Sequence, residues 1–390
     1  MAKDRHGQST KLAEGGRRKE WRGRLVNVPV ERASTILFDD VGQMASNRPG
    51  FGVYRYGLQG TATHWALSEA LSGLEPGAAG TILYPSGLAA ITAPLLALLS
   101  PNDDFLVPDN VYGPTRRFCD TILKRLGIVT RYYDPLIGAG IAELIGDRTR
   151  AILLESPGSL TMEVQDVPAI CTVARKLGIA TLIDNTWATP LYFPAMAAGL
   201  DVSILAATKY VGGHADVMLG TATATEQYFD QIQTATWDLG FATSPDDAWL
   251  CSRGLRTMAV RLRQHEASAL KIAQWLKDRP EVGLVLHPAL PDCPGHETWK
   301  RDYKGSSGLF SFEFKGADEK KRAAFVNALE LFGIGYSWGG YESLALPVNP
   351  LRTVTKAPAT SLIRLHIGLE DPADLISDLT AAFDQAGRSP

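Results

Sequence analysis

The sequence predicts an α/β protein with a large, mostly parallel, doubly wound sheet and a smaller α+β domain in its C-terminal part. Between residues 81 and 205, short apolar runs alternate with helical stretches, which is typical of parallel strands covered on both faces. Further along, Phe310, Phe312 and Phe314 fall on one face of a strand and alternate with polar residues. That alternation predicts an antiparallel sheet with one covered face.

Composition and charge exclude several classes of protein. The 390 residues have a formal net charge of −3, with 45% hydrophobic and 21% charged residues, as in an ordinary globular protein with a large core. This balance gives no sign of nucleic-acid binding. The longest apolar run, residues 88–99, contains Pro94 and is shorter than the roughly 18–20 residues of a membrane span. Four separated cysteines and a polar N-terminal stretch favour a cytoplasmic protein.

The elements of the large domain follow in the order strand, helix, strand. A first helical run, with leucines at positions 67, 71 and 74, ends at Pro76-Gly77. We predict strands over residues 81–84, 105–107, 129–133, 151–154, 179–183 and 202–205, and helices from about residue 88, over 115–126 and over 168–177. In such a sheet, ligands bind at the carboxyl ends of the strands.

Three segments are expected along the chain. Residues 1–60 have no long helical or strand period, and we expect an arm that is mobile or packed on a partner. A helical pattern over residues 246–277 stops before Pro280 and is expected to join two domains. We therefore predict a large domain at 61–256 and a C-terminal α+β domain at 257–390.

Two polar features follow predicted strands of the large domain. Pro85-Ser86-Gly87-Leu88 turns from a strand into a helix, whose first N–H groups could hold a phosphate, although such glycine turns are also common structural features. Asp184 closes the strand at 179–183. A carboxylate in this place must be solvated, cap a helix or pair with a cation.

Two cationic side chains also occur at or near strands. Lys209 directly follows the strand at 202–205, and a lysine of lowered pKa forms Schiff bases with carbonyl compounds, although most lysines are surface charges. It follows Asp184 by 209 − 184 = 25 residues, one strand–helix–strand unit, so we expect both at the same sheet edge. Arg364 lies opposite the apolar face of a strand and suits either a substrate carboxylate or a structural salt bridge.

Together these groups are typical of a pyridoxal phosphate enzyme that acts on an amino acid. Such a protein must hold the phosphate, the ring nitrogen and the aldehyde of the cofactor. Asp184 would keep the ring nitrogen protonated, and Lys209 would bind the aldehyde. Tyr112 follows another strand and is a candidate to stack on the ring.

The sequence resembles the Cys/Met-metabolism branch of fold-type-I pyridoxal phosphate enzymes from about Tyr54 to Leu379. Several stretches are similar in the same order, which makes the resemblance specific. They are Tyr56-Gly57 with Gly60-Thr61, Glu155-Ser156-Pro157-Gly158-Ser159, Ile183-Asp184-Asn185-Thr186-Trp187-Ala188, Ala206-Ala207-Thr208-Lys209-Tyr210 with Gly213-His214, Ser252-Arg253-Gly254-Leu255-Arg256-Thr257, and Tyr336-Ser337-Trp338-Gly339-Gly340-Tyr341-Glu342-Ser343-Leu344.

The resemblance implies further roles at the cofactor. Backbone N–H groups of Gly87 and Leu88 would bind the phosphate, as would the hydroxyl of Thr208. Tyr56 would reach the active site of a neighbouring subunit, where it would contact the phosphate or assist amine deprotonation. Family members are tetramers built from dimers with shared active sites, so the arm would pack on a neighbouring subunit.

The resemblance also implies how substrate is held and cleaved. Ser337 would help Arg364 bind the substrate carboxylate, and Trp338 would line the side-chain end of the pocket, as in β-lyases. The expected catalytic residues are Lys209, Tyr112 and Tyr56. The implied reaction is β-elimination of L-cystathionine to homocysteine, pyruvate and ammonia. Cysteine desulfhydrase, γ-lyase and γ-synthase activities are alternatives, and a cofactor-binding regulatory protein is a more distant one. The missing G-x-G-x-x-G disfavours a nicotinamide dehydrogenase.

Two positions qualify these expectations. Family members usually have an arginine two residues after the tyrosine, where this sequence has Leu58, and Arg55 is a possible substitute. Without a substitute, the phosphate loses one charge-assisted hydrogen bond, typically about 1.5–3 kcal/mol. His214 and Asp216 form an H-x-D pair, but two ligands are too few for a metal site, and we predict none.

Overall fold

A computed structural model describes residues 6–388 of the chain as two β-sheets surrounded by helices. The larger sheet contains β1 (Gly80–Tyr84), β2 (Asp104–Pro108), β3 (Val129–Tyr133), β4 (Thr149–Glu155), β5 (Ala180–Asp184), β6 (Val202–Leu205) and β7 (Gly220–Ala224). The smaller sheet contains β8 (Val282–Leu286), β9 (Leu309–Phe314), β10 (Leu344–Val348) and β11 (Leu362–His366).

Thirteen α-helices lie in this part of the chain. They are α1 (Gln8–Glu14), α2 (Lys19–Arg22), α3 (Val41–Ser46), α4 (Ala62–Ser72), α5 (Gly87–Leu98), α6 (Gly113–Phe118), α7 (Val167–Lys176), α8 (Thr189–Tyr192), α9 (Glu226–Asp238), α10 (Pro245–Lys277), α11 (His296–Asp302), α12 (Glu319–Asn327) and α13 (Pro372–Arg388). Over residues 6–388, none of them is both long and apolar enough to cross a membrane.

The strand order confirms the predicted α/β class. The larger sheet has the order β1-β7-β6-β5-β4-β2-β3, and its strands pair in parallel except β7, which is antiparallel to β1 and β6. The smaller sheet is antiparallel throughout, in the order β10-β11-β9-β8. Strand β7 is absent from our prediction because its sequence, Gly-Thr-Ala-Thr-Ala, lacks the large apolar residues by which a strand is recognised.

Apolar packing on both faces explains the continuous apolar runs of the larger sheet. Leu106, Ile152 and Ile183 belong to a core on one face, while their neighbours Leu153 and Leu182 belong to a core on the other. Consecutive side chains of a strand point to opposite faces, so both sets must be apolar. All of these side chains are fully buried.

One local expectation was wrong and another was incomplete. The chain is helical over most of the predicted residues 115–126, but as α6 followed by a π-helical turn, Cys119–Leu123, rather than as one regular α-helix. The second face of the smaller sheet is also covered, because Leu309 and Leu362 pack in the core that contains Trp187 of the large domain. The Trp187 Nε1–H donates to the carbonyl of Leu309 at 2.9 Å. The large domain therefore covers the face that we expected to be exposed.

Helix α10 extends from one core to another. Leu255 and Met258 pack in a core with Tyr210 of the large domain, whereas Ala269 and Ile272 pack with the phenylalanines of β9. We therefore propose that the large and small domains meet within this helix, between Met258 and Ala269, a little after the predicted 256/257 boundary.

The first part of the arm packs on its own chain. Leu12 is buried against α4 and α10, and the Arg256 guanidinium donates to the Leu12 carbonyl at 2.6 Å. Residues 1–5 of the arm and 389–390 of the C-terminal segment lie outside the described residues.

A buried carboxylate ties the end of β2 to a loop of the C-terminal segment. Asp109 accepts hydrogen bonds from the backbone N–H groups of Thr353, Val354 and Thr355 at 2.8–3.0 Å. It also pairs with the buried guanidinium of Arg116 at 2.8 Å. Burial alone would raise the pKa of Asp109, but these hydrogen bonds outweigh it and lower the pKa to about 2. The carboxylate is therefore charged in the folded protein.

We expect Asp109→Asn to lower the free energy of unfolding by about 3 kcal/mol, because it leaves the buried Arg116 charge without its partner. Urea denaturation measures this free energy. The control, Asp147→Asn, changes an exposed residue and should shift the free energy of unfolding by less than about 0.5 kcal/mol. The folded pKa lies below the usual 3.8, so this stabilisation is present above pH 4 and is lost as the pH falls towards 2. Equal urea midpoints for the two variants would contradict the expectation.

Candidate active site

Lys209 lies in a partly buried position between the two domains. Its Nζ donates to the Oγ of Ser337 and lies 5.3 Å from the ring centroid of Trp338. The pKa of Lys209 is lowered to about 8, first by burial and then by the charge of Arg364, while the charge of Asp184 opposes both. About a tenth of this amine is therefore neutral at pH 7, far more than for an ordinary lysine, as a nucleophilic or basic lysine requires.

Asp184 lies at the end of β5, and its surroundings connect it to the segment before Lys209. Its Oδ1 accepts from the N–H of Thr186 at 3.0 Å and from the hydroxyl of the same residue. That hydroxyl accepts in turn from the N–H of Ala206 at 2.8 Å. Burial raises the pKa of Asp184, against the effect of these bonds and of the Lys209 charge. A cationic ring nitrogen beside Asp184 would form an ion pair with this buried carboxylate and so offset the cost of burying its charge.

The start of α5 forms a cradle that suits an anion. The Ser86 hydroxyl accepts from the N–H of Ala89 at 3.1 Å, and the first N–H groups of a helix have no acceptor within it. A Cβ at position 87 would lie 2.6 Å from the Cβ of Ala206, so only glycine allows this close approach. Leu88 is partly exposed at the helix start. The Thr208 hydroxyl bonds the backbone of Leu219, at 3.1 Å from its carbonyl and 3.0 Å from its N–H.

Arg364 projects from the middle of β11 and reaches the loop that contains Ser337. Its Nη2 donates to the Ser337 carbonyl at 3.0 Å, and burial lowers its pKa. The loop has a left-handed backbone at Ser337, with φ of 84°. Behind it, His366 Nε2 lies 3.1 Å from the N–H of Gly339 and from the carbonyl of Gly340. His366 thus contacts the backbone of the loop that contains Ser337.

Tyr112 lies at the N-terminus of α6, with 43% of its surface exposed. Burial of its inner part raises the pKa of the phenol, and the nearby charges of Asp184 and Glu155 raise it further, against that of Arg364. The phenol is therefore within electrostatic reach of Asp184, Glu155 and Arg364. The Tyr112 N–H donates to Glu155 Oε2 at 2.7 Å.

Glu155 was not assigned a role from the sequence. It ends β4 directly beside Asp184 in the parallel register, and burial together with the Asp184 charge raises its pKa well above the usual value. Its position at the end of an apolar strand, like that of Asp184, was the signal that could have identified it.

Within the described residues, no contact connects the arm with Lys209 of the same chain. Tyr56 is 51% exposed and pairs with Thr35 through the backbone. Leu58 lies in a short 3-10 turn, and the Arg55 guanidinium donates to the carbonyl of Asn47. Within residues 6–388, no three His, Cys, Asp or Glu side chains form a group that could hold a metal ion.

The donor set of this cleft fits pyridoxal phosphate. A glycine-dependent helix N-terminus suits a phosphate, a carboxylate at a strand end suits a protonated ring nitrogen, and a lysine of lowered pKa suits an aldehyde. Tyr112, at the opening of the cleft, supplies a flat ring on which the cofactor ring could stack. These groups follow β1, β2, β5 and β6, whose carboxyl ends lie at the same edge of the sheet.

Comparisons with known proteins agree with this geometry. The chain is 45% identical to "Cystathionine beta-lyase MetC" of Escherichia coli, over 96% of this chain and 97% of that protein. It is 43% identical to "Cystathionine beta-lyase" of Haemophilus influenzae, over 97% and 98% of the two chains. The crystal structure of metB from Corynebacterium glutamicum superposes with a TM-score of 0.91 at 28% identity, over 98% and 99% of the chains. Residues 9–384 match the family described as "Cys/Met metabolism PLP-dependent enzyme", and the chain belongs to that family.

Proposed function

We propose that the protein is a carbon–sulfur lyase that performs β-elimination on L-cystathionine and releases homocysteine, pyruvate and ammonia. The observation that carries the proposal is the position of Lys209 Nζ, bonded to Ser337 Oγ and close to the ring of Trp338. A base of lowered pKa is thereby held between Trp338 and Ser337, the residue whose carbonyl accepts from Arg364. The names of relatives at 43–45% identity support the same reaction.

Pyridoxal phosphate, when bound, supplies an aldehyde that condenses with amines and a ring that accepts the electrons left when the α-proton is removed. Arg364 and Ser337 bind the α-carboxylate of the substrate. Lys209, as a neutral amine, takes the proton from the substrate α-carbon and then donates a proton to the sulfur as the bond between the β-carbon and sulfur breaks. Asp184 holds the proton at the ring nitrogen by its charge.

The remaining cofactor roles follow from the same cleft. We propose that the N–H groups of Gly87 and Leu88 and the hydroxyl of Thr208 bind the phosphate, and that Tyr112 stacks on the ring. The helix N-terminus and the close approach at position 87 support this arrangement.

We further propose a cytoplasmic homotetramer, built from dimers with shared active sites. The arm supports this assembly because it exposes large apolar side chains that need a partner. They include Leu37, Val41, Met44 and Tyr56. In the assembly, Tyr56 would reach the active site of a neighbouring subunit.

The reaction itself is tested by product analysis. The cofactor-loaded protein should convert L-cystathionine to equal amounts of homocysteine, pyruvate and ammonia, measured by chromatography and an enzymatic assay of the keto acid. Lys209→Ala should slow this conversion by about 10²–10⁴-fold. Formation of 2-oxobutyrate would favour γ-elimination instead, and full cofactor binding without turnover of any amino acid would favour a regulatory protein.

The lowered pKa of Lys209 is tested by cofactor loading. Only the neutral amine attacks an aldehyde, so the loading rate of the apo-protein should rise with pH and reach half of its maximum near pH 8. Borohydride reduction followed by mass spectrometry measures the label on Lys209, with Lys271→Ala as a control at an exposed lysine. A rate that still rises steeply near pH 10.5, the ordinary value, would disprove the lowered pKa.

Arg364→Gln removes the positive charge that is proposed to bind the substrate carboxylate. We expect kcat/KM for L-cystathionine to fall by about 10–100-fold, which corresponds to a charge-assisted hydrogen bond of about 1.5–3 kcal/mol. Arg364→Lys should lower kcat/KM by less, because lysine keeps the positive charge but lacks the planar, two-pronged set of N–H donors of a guanidinium. Steady-state kinetics measures both, with Arg263→Gln, at an exposed arginine of α10, as the control. A loss no greater than that of the control would exclude this role.

A further inference from the structure

The loop of residues 337–340 lies directly against Lys209. A Cβ at position 339 would lie 2.9 Å from the Cβ of Lys209, so only a glycine allows this close contact between the loop and the lysine. Two residues earlier, Ser337 has a left-handed backbone, with φ of 84°. Residues other than glycine keep this conformation only where the surrounding contacts hold them in it. The loop therefore depends on contacts that support it from behind.

Two side chains of β11 supply these contacts. Arg364 and His366 are two positions apart in the strand and lie on the same face. Arg364 Nη2 donates to the Ser337 carbonyl at 3.0 Å. His366 Nε2 lies 3.1 Å from the N–H of Gly339 and from the carbonyl of Gly340. Because β11 pairs with β10 on one side and with β9 on the other, both side chains start from a fixed backbone.

The imidazole of His366 is enclosed, and its hydrogen bonds go to the loop. The side chain is fully buried, and burial lowers its pKa to about 3, so the ring is neutral. A neutral imidazole has one N–H and one acceptor nitrogen, and Nε2 therefore either accepts from Gly339 or donates to Gly340. Within residues 6–388, the other ring nitrogen, Nδ1, has no hydrogen-bond partner. The polar contribution of this ring is therefore its contact with the loop.

The other support of the loop, Arg364, is shared with the substrate under the proposed function. The Nη2 that bonds Ser337 belongs to the guanidinium that is proposed to bind the substrate carboxylate. A carboxylate often takes two N–H donors of one guanidinium, so a bound substrate would compete with Ser337 for them. His366 meets no such competition, because it is fully buried behind the loop.

We propose that His366 is a positioning residue for the reaction: it fixes the loop of residues 337–340 so that Ser337 and Trp338 stay in place around the amine of Lys209. The proposal rests on the proposed function, in which Lys209 is the base, and extends it to a residue that touches neither substrate nor cofactor. Without this support the loop would relax away from Lys209. The amine would then be more exposed to water and less well oriented.

The first test measures cofactor loading and does not depend on turnover. His366→Leu removes the hydrogen bond of Nε2, and the loading rate of the apo-protein at Lys209 is measured against pH by borohydride reduction. The half-maximal rate should move from near pH 8 towards 10.5, because burial is the main cause of the lowered pKa of Lys209 and the loop is part of its cover. Asp184 and Arg364, whose charges also act on Lys209, are unchanged in this variant.

The matched control is His287→Leu. His287 is also fully buried in the smaller domain, its Nδ1 accepts from the N–H of Ala289 at 3.1 Å, and burial lowers its pKa to about 3. This variant should be destabilised in the same way but keep its loading midpoint near pH 8. His366→Gln should restore the midpoint of the unsubstituted protein at least in part, because its amide reaches the place of Nε2.

The second test measures turnover of L-cystathionine. His366→Leu should lower kcat about 10–100-fold, the effect of a small displacement of a catalytic group, while KM changes less than about threefold because Arg364 is retained. If His366→Leu does not fold, His366→Asn replaces it, since its amide is too short to reach the loop. A midpoint near pH 8 together with the kcat of the control, in whichever of these two variants folds, would overturn the proposal.

The two tests also separate this proposal from the proposed function. If the unsubstituted protein forms no pyruvate from L-cystathionine, the proposed function fails. The loading midpoints of His366→Leu, His366→Gln and the control would still decide whether His366 positions the loop at Lys209.

Discussion

The hydroxyl of Thr186 is the contact on which the site depends. It donates to Asp184 at the end of β5 and accepts from the N–H of Ala206 after β6, so one side chain joins two neighbouring strand ends. Since the two strands are parallel and adjacent, their carboxyl ends meet at one edge, and the carboxylate and Lys209 lie within electrostatic reach of each other. Burial then acts in opposite directions on the two groups. It raises the pKa of the acid and lowers that of the amine, which prepares both for a cofactor with a charged ring and an aldehyde.

The smaller sheet and the loop at Ser337 supply the other side of the site, opposite the strand ends of the larger sheet. Arg364 and the loop at Ser337 belong to the C-terminal segment, and they face Lys209 of the large domain. Two sets of contacts fix their position. Trp187 bonds the backbone of β9, and Asp109 binds three successive N–H groups of the loop at residues 353–355. The position of the proposed substrate-binding residues therefore depends on the contacts between the two domains.

Much of the fold could be predicted because its signals are local. The strand boundaries 129–133 and 202–205 agree with the structure, since short apolar runs bounded by polar residues identify buried strands. Strand β7 and the π-helical turn after α6 could not be predicted, because small residues and a single extra backbone residue leave little pattern. The second face of β9 was misjudged for a different reason. Alternation along one strand says which side chains share a face, but not which other element covers that face.

The sequence by itself determined which chemical groups are available and in what order: a glycine turn after a strand, an acid and a lysine one strand–helix–strand unit apart, and an arginine on a later strand. Only the tertiary structure decided how they act together. The pKa of Lys209 and the pairing of Glu155 with Asp184 depend on burial and on residues 25 or more positions away in the chain. Desolvation and hydrogen bonding are set by what surrounds a group in space, and spacing along the chain records only part of that.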